Sequence, residues 1–198
     1  MTIFKNNNNS APFKKFRALY KEADSLNQKN IEGIAISSYS KLFKEVDSRY
    51  VNLKYLDDDK FIFFSNYQSP KAHQFISHNQ ISGLIYWDSL NIQIRIKANI
   101  KKITQSDSDE HFKNRNKFKN AIAICSQQSE KIDSKNELKN NYEKTLNEKN
   151  LYKRPSYWGG YQFTPYYFEF WEGSEIRLNN RVAFELKNNI WNEFFLQP

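Results

Sequence analysis

Residues 154–181 read RPSYWGGYQFTPYYFEFWEGSEIRLNNR and bring the most distinctive chemistry of the chain into one short span. Trp171 is followed by Arg177, Asn179 and Arg181. On an extended segment alternate residues project from one side, so these three would share a face. Arginine offers a planar fork of N–H donors that pairs bidentately with phosphate or carboxylate. A large aromatic beside same-face guanidinium groups therefore suits a flat, anionic ligand. Without context the same string is a hydrophobic strand edged with solvated charges, the commoner use of such residues. Trp158 with Gly159 and Gly160 marks a strand entry where the backbone bends or is approached closely. Phe168, Phe170 and Ile176 are expected to face inward, Glu169 and Trp171 outward, with a turn at Glu172-Gly173-Ser174.

The elements that must position these residues follow from pattern. At 198 residues one domain with a substantial core is expected. The lone cysteine, Cys125, excludes an intrachain disulfide framework and fits a reducing compartment. The opening TIFKNNNN lacks the apolar run of a signal peptide, and no stretch approaches the ~18 apolar residues of a membrane span. A cytoplasmic location without a membrane partner is therefore expected. The net charge of +8 suits anionic partners, but it comes largely from Lys/Asn-rich helix surface and no nucleic-acid motif accompanies it. Neither a nucleic-acid partner nor a metal site is expected.

Residues 1–11 read as a disordered tail, because the asparagine run offers nothing to bury. Helical spacing of Phe13, Phe16, Leu19, Tyr20 and Ala23 predicts a helix over 13–29. Strands are expected over 34–39, 49–55, 61–66, 81–87 and 91–103, with a turn at Asp57-Asp58-Asp59. The last of these strands is the clearest, since Ile92, Ile94, Ile96, Ala98 and Ile100 alternate with polar residues. Ser69-Pro70 opens a short helix over 68–78. Residues 107–124 and 130–149 read as helices, and the last third returns to strands. Strands, then helices, then strands suggest a small barrel with helices outside.

Four strings near the C-terminus, RPSYWGG with Tyr161, EFWEG, RLNNR and the closing Trp191 with Leu196-Gln197-Pro198, resemble in order the C-terminal segment of the pyridoxamine 5'-phosphate oxidase family. The family pattern there is close to RPxxWGG, EFWxG and RLHDR. The middle of the chain is similar too: Arg49, Val51, Leu53 and Lys54; Phe63-Phe64-Ser65-Asn66 with Ser69 and Lys71; Gln93-Ile94-Arg95-Ile96; and Gln127-Gln128-Ser129. The resemblance covers roughly 34–198. It implies a mainly β fold with α, an FMN-binding split β-barrel with peripheral helices that forms a homodimer. The organisation expected is a tail over 1–11 and a single domain over 12–198, with 154–198 as its dimerisation segment.

The same resemblance implies the chemistry. Pyridoxine or pyridoxamine 5'-phosphate would be oxidised at C4', a hydride passing to FMN and dioxygen reoxidising the flavin. FMN would be held by Arg49, Tyr50, Val51, Asn52, Leu53, Lys54, Phe64, Ser65, Lys71 and Gln93. Arg49, Ser65 and Lys71 would address its phosphate, aided by the N-terminus of the helix that follows. Gln128, Ser129, Trp171 and Arg181 would come from the partner subunit. Lys54, His111, Arg115 and Lys119 would bind substrate, with Arg177 and Asn179 beside the reacting ring. Taken singly, each is more common as a solvated charge, helix-end polar group or core aromatic. The chain also departs from the pattern. Pro70 replaces a frequent cation, Asn179 and Asn180 replace the His and Asp of RLHDR, His111 stands for a usual Tyr and Lys119 for a usual Ser. Two alternatives follow from these departures: an FMN oxidoreductase acting on another flat heteroaromatic substrate, or a non-catalytic flavin- or pyridoxal-phosphate-binding protein.

Overall fold

The alternating strand is the spine of the fold. In the computed structural model, which describes the chain apart from residue 149, it forms β7 (Ile92–Lys102). Ile92, Ile94, Ile96, Ala98 and Ile100 are all buried, as the period of two requires. On one side β7 pairs antiparallel with β6 (Gln80–Trp87), and on the other with β8 (Trp158–Glu172). On its other edge β8 serves two neighbours. Its first half pairs with β5 (Lys60–Asn66) and its second half with β9 (Asn180–Lys187). The change comes where the β7–β8 register slips between Lys97 and Ala98, opposite Pro165 and Tyr167. Proline cannot donate to the ladder and the skipped Tyr166 forms a bulge, so the strand bends there and the sheet divides.

The remaining strands are β1 (Ile3–Asn7), β2 (Gly33–Ser40), β3 (Glu45–Asn52), β4 (Tyr55–Asp58) and β10 (Ile190–Phe195). They complete one sheet in the order β1-β4-β5-β8-β7-β6-β2-β3, with β9 and β10 branching from β8. This is a split β-barrel. The expected strand over 49–55 is two strands: β3 ends at Asn52, Leu53 and Lys54 turn the corner, and β4 pairs with β5 instead of β2. Leu53 is fully buried at that corner, so its side chain belongs to the core.

Helix α1 (Ala11–Ser25) buries Phe13, Phe16, Tyr20 and Ala23 along one stripe. Phe16 meets Phe61 edge-on at 5.0 Å, Phe13 meets Phe168 at 5.2 Å, and Tyr20 meets Trp87 at 5.8 Å. Edge-to-face aromatic packing of this kind adds about 0.5–1.5 kcal/mol per pair beyond burial. The high aromatic content thus goes largely into a helix-on-barrel core.

Residues 1–11 are not a disordered tail. β1 pairs parallel with the edge strand β4, and the Asn6 and Asn8 amides donate to Asp57 and Asp58. The asparagine run buries little, as composition indicated, but an open sheet edge and two carboxylates give it partners. The expected helix over 107–124 is two helices, α3 (Gln105–Asn114) and α4 (Lys117–Cys125), because Arg115 and Asn116 leave helical geometry and Asn116 caps α4. Helix α2 is Pro70–Ser77. The helix expected over 130–149 is α5 (Lys135–Glu148), its last position lying outside the described residues. Among the described residues no helix is long and apolar enough to cross a membrane.

Candidate functional site

A cleft of about 590 Å³ opens between the β3–β4 corner, β5, α2 and the α3–α4 junction. Its lining includes Lys54, Lys71, Arg115 and Lys119 and, among the described residues, no carboxylate. Two polar clusters stand in it, and Phe64, His111 and Trp158 stack along its wall.

The first cluster is built where β5 runs into α2. Ser65 and Asn66 end the strand, Ser69 precedes α2, and Pro70 opens that helix with a preset φ. Lys71 on its first turn folds back into the protein and is only 8% exposed. Its Nζ donates to Ser65 Oγ and Ser69 Oγ at 3.1 Å each and to Gln128 Oε1 at 3.3 Å. All three partners are neutral, and among the described residues Lys71 makes no ion pair. Burial, reinforced by the nearby Arg49 charge, pushes its ammonium down to about 8. A desolvated cation surrounded by hydroxyls and an amide is an anion-binding arrangement.

The second cluster sits at the α3–α4 junction. Arg115 lies over Trp158 at 5.1 Å, and its Nη1 donates to the Lys119 carbonyl at 2.6 Å and to Asn120 Oδ1 at 3.1 Å. Lys54 approaches from the strand corner, pairing with Glu32 at 3.1 Å. His111 stacks on Phe64 with centroids 3.6 Å apart and planes 9° from parallel, and Phe64 stacks on Trp158 at 5.3 Å. Burial, then the charges of Arg115, Lys54 and Lys5, push His111 down to about 4, so the imidazole is neutral at physiological pH.

Tyr50, Val51, Asn52, Lys54, Phe64, Ser65, Lys71, His111, Arg115, Lys119 and Gln128 thus all line one cleft. Gln128 was expected from a partner subunit. It instead meets Ser65, Asn66 and Lys71 of its own chain. Arg49 stands just outside, its guanidinium held by Asp47, Ser38 and Gln74. Ser129 has a positive φ and lines a neighbouring pocket instead.

A second group lies on another part of the sheet. Gln93, Trp171 and Arg181 are cross-strand neighbours on β7, β8 and β9, continuing a row that starts at Tyr86 on β6. None of the three lines the cleft of its own chain. Arg181 is engaged by Glu169, which is 2% exposed and also receives Arg95 at 2.8 Å. The expected extended run Arg177–Arg181 is replaced by a turn over 175–177, with Arg177 left-handed at φ 61° and β9 starting only at Asn180. Arg177 and Asn179 therefore do not share a strand face with Arg181. Asn179 Oδ1 accepts from the Ser174 N–H at 3.1 Å, closing that turn. Ile176, expected inward, is 78% exposed on it.

One residue of the site had no sequence signal. Asn120 is fully buried, and its Nδ2 donates to the carbonyls of Phe112 and Leu151 at 2.9 and 2.8 Å. It ties α3, α4 and the segment before β8 together while accepting from Arg115. In the string KFKNAIAIC it resembles any solvated helix asparagine.

Two family models match the chain. Residues 40–147 match one described as pyridoxamine 5'-phosphate oxidase, and residues 158–198 match the pyridoxine 5'-phosphate oxidase C-terminal dimerisation region. The pyridoxine/pyridoxamine 5'-phosphate oxidase of Cytophaga hutchinsonii is 38% identical over 156 residues, covering 76% of this chain and 72% of that one. The protein of that name from Rippkaea orientalis is 34% identical over 195 residues, covering 96% and 91%. Among solved structures, PhzG from Burkholderia lata 383, in complex with tetrahydrophenazine-1-carboxylic acid, has a TM-score of 0.90 at 25% identity, covering 96% of this chain and 93% of that one.

Proposed function

The chain belongs to the pyridoxamine 5'-phosphate oxidase family, a family of oxidoreductases, and on that premise we propose that it oxidises pyridoxine or pyridoxamine 5'-phosphate to pyridoxal 5'-phosphate with bound FMN and dioxygen. The observation that carries this reading is the cleft with two cationic clusters, no carboxylate and an aromatic wall. FMN and the substrate each bring one phosphate and one flat ring. The donor set fits FMN: Lys71, Ser65, Ser69 and Gln128 offer a buried cation among neutral hydrogen-bonding groups. Lys54, His111, Arg115 and Lys119 are the groups for the substrate phosphate. Bound FMN supplies two-electron oxidation, with dioxygen as final acceptor. The chain's own residues bind the two anions, orient the rings against each other and keep water from the reacting carbon. In this reading Gln93, Trp171 and Arg181 of one protomer complete the cleft of a second in a homodimer, because they lie away from the cleft of their own chain.

A second reading, oxidation of another flat heteroaromatic acid, is favoured by one observation. Lys119 adds a cation to the substrate cluster, and PhzG, 25% identical, binds a tricyclic carboxylic acid. Oxygen-uptake assays on the FMN-loaded protein separate the two. Turnover with pyridoxine or pyridoxamine 5'-phosphate and none with a reduced phenazine carboxylic acid supports the first; the reverse supports the second.

A further inference from the structure

Tyr55 opens β4 and lies outside the residues that line the main cleft. Its hydroxyl stands 2.8 Å from Nδ1 of His111, with the two rings at 85°. His111 is clamped from a second direction by the stack on Phe64, at 3.6 Å and 9°. Its ring forms the wall between the main cleft and a smaller pocket, and Tyr55 lies on the smaller pocket's side. The Nδ1 edge is therefore turned to Tyr55. Among the described residues Nε2 has no hydrogen-bond partner, and the rest of the ring borders the cleft beside Lys54 and Arg115.

A neutral imidazole has one donor nitrogen and one acceptor nitrogen, and the partner of one nitrogen decides the role of the other. Burial, then the surrounding cations Arg115, Lys54 and Lys5, hold His111 neutral. Burial and Glu110 keep Tyr55 a phenol. If Nδ1 carried the proton and donated, the phenol proton would have no acceptor among the described residues. With the phenol donating to Nδ1, the hydroxyl proton and the Nδ1 lone pair are both satisfied and the ring proton sits on Nε2, free to donate into the cleft.

We propose that Tyr55 is a positioning residue: its hydroxyl donates to Nδ1 of His111 and fixes the imidazole as the Nε2–H tautomer, so that Nε2 serves as a neutral donor to a phosphate-type anion held between Lys54 and Arg115. The proposal rests on the reading of that cluster as the substrate-phosphate subsite. A neutral donor adds a directed hydrogen bond without another charge in a cluster that already has Lys54, Arg115 and Lys119.

The test uses FMN-loaded protein with 15N-labelled histidine, the His111 resonances being assigned by their loss in His111→Gln. Tautomer is read from the ring-nitrogen shifts, and inorganic phosphate is the probe. Wild type is expected to show an unprotonated, hydrogen-bonded Nδ1 and a protonated Nε2 that moves on phosphate addition. Tyr55→Phe is expected to show a mixed tautomer and to raise KM for pyridoxine 5'-phosphate about three- to tenfold, with kcat changed less and the FMN spectrum unchanged. An Nδ1–H tautomer in wild type, or an Nε2–H tautomer that survives Tyr55→Phe, overturns the positioning role whether or not phosphate binds. A Tyr55-dependent tautomer whose Nε2 ignores saturating phosphate overturns the donor role. If Lys54→Ala and Arg115→Ala also leave KM unchanged, that failure extends to the subsite itself; if they raise it, the failure is confined to His111.

Discussion

Lys71 carries the argument at the scale of single residues. Its ammonium sits at about 8 because burial, then Arg49, disfavours its charge. A bound phosphate would restore that charge. Below pH 8 the free site is already protonated and binding takes up no proton. Above it, binding must take one up, so FMN affinity is expected to fall as pH rises past about 8. Flavin titration of apo-protein from pH 7 to 9.5 checks this; a flat profile, or a slope that persists in Lys71→Met, contradicts it. Lys71→Ala should weaken FMN by ~1.5–3 kcal/mol, the scale of charge-assisted hydrogen bonds. Arg49→Ala should cost less, since that guanidinium is already engaged by Asp47, Ser38 and Gln74. Lys71, Ser65 and Ser69 were picked out by the resemblance of their string to the family pattern, and the structure brings the three together with Gln128 of the same chain. Asn120 was not picked out, because nothing in a sequence distinguishes a buried amide from a solvated one.

At the scale of elements, the α3–α4 junction aims Arg115 and depends on Asn120. Asn120→Leu takes a donor from the Phe112 and Leu151 carbonyls, leaving Phe112 with the Arg115 N–H alone and Leu151 without its partner, and frees Arg115 from one acceptor. It should cost about 1–3 kcal/mol of stability. It should also raise KM for the phosphate substrate more than it lowers kcat, as urea unfolding and steady-state kinetics would show. If KM stays put while stability falls, Asn120 is structural only. Helix α1 is held by its aromatic stripe, so Phe16→Ala should destabilise by about 3–5 kcal/mol. The alternating isoleucines made β7 plain, and the 3–4 spacing of aromatics did so for α1. The turn over 175–177 was hidden because Arg177 takes its left-handed φ without a glycine to mark it. Likewise the pairing of β1 depends on an edge strand fifty residues away, which no local pattern reports.

For the whole molecule, the account needs two chains. The Tyr86–Gln93–Trp171–Arg181 row lies apart from the cleft, with Tyr86 itself and Leu84, two residues before it on β6, exposed. In a twofold dimer each cleft would be completed by the partner's row. Trp171→Ala and Lys71→Ala should each lose activity, yet mixing and reassembling them should restore roughly a quarter of wild-type turnover. Half of the dimers would then be hybrids with one intact site each. Failure to recover any activity from verified hybrids would place both residues at one intrachain site.

The most direct test of the central claim is anaerobic mixing of the FMN-loaded protein with pyridoxamine or pyridoxine 5'-phosphate, followed through the flavin's visible absorbance. The account predicts bleaching within the time of a catalytic turnover, formation of pyridoxal 5'-phosphate in proportion, and return of the yellow colour when oxygen is admitted. A protein that binds FMN and stays oxidised with both substrates would contradict it.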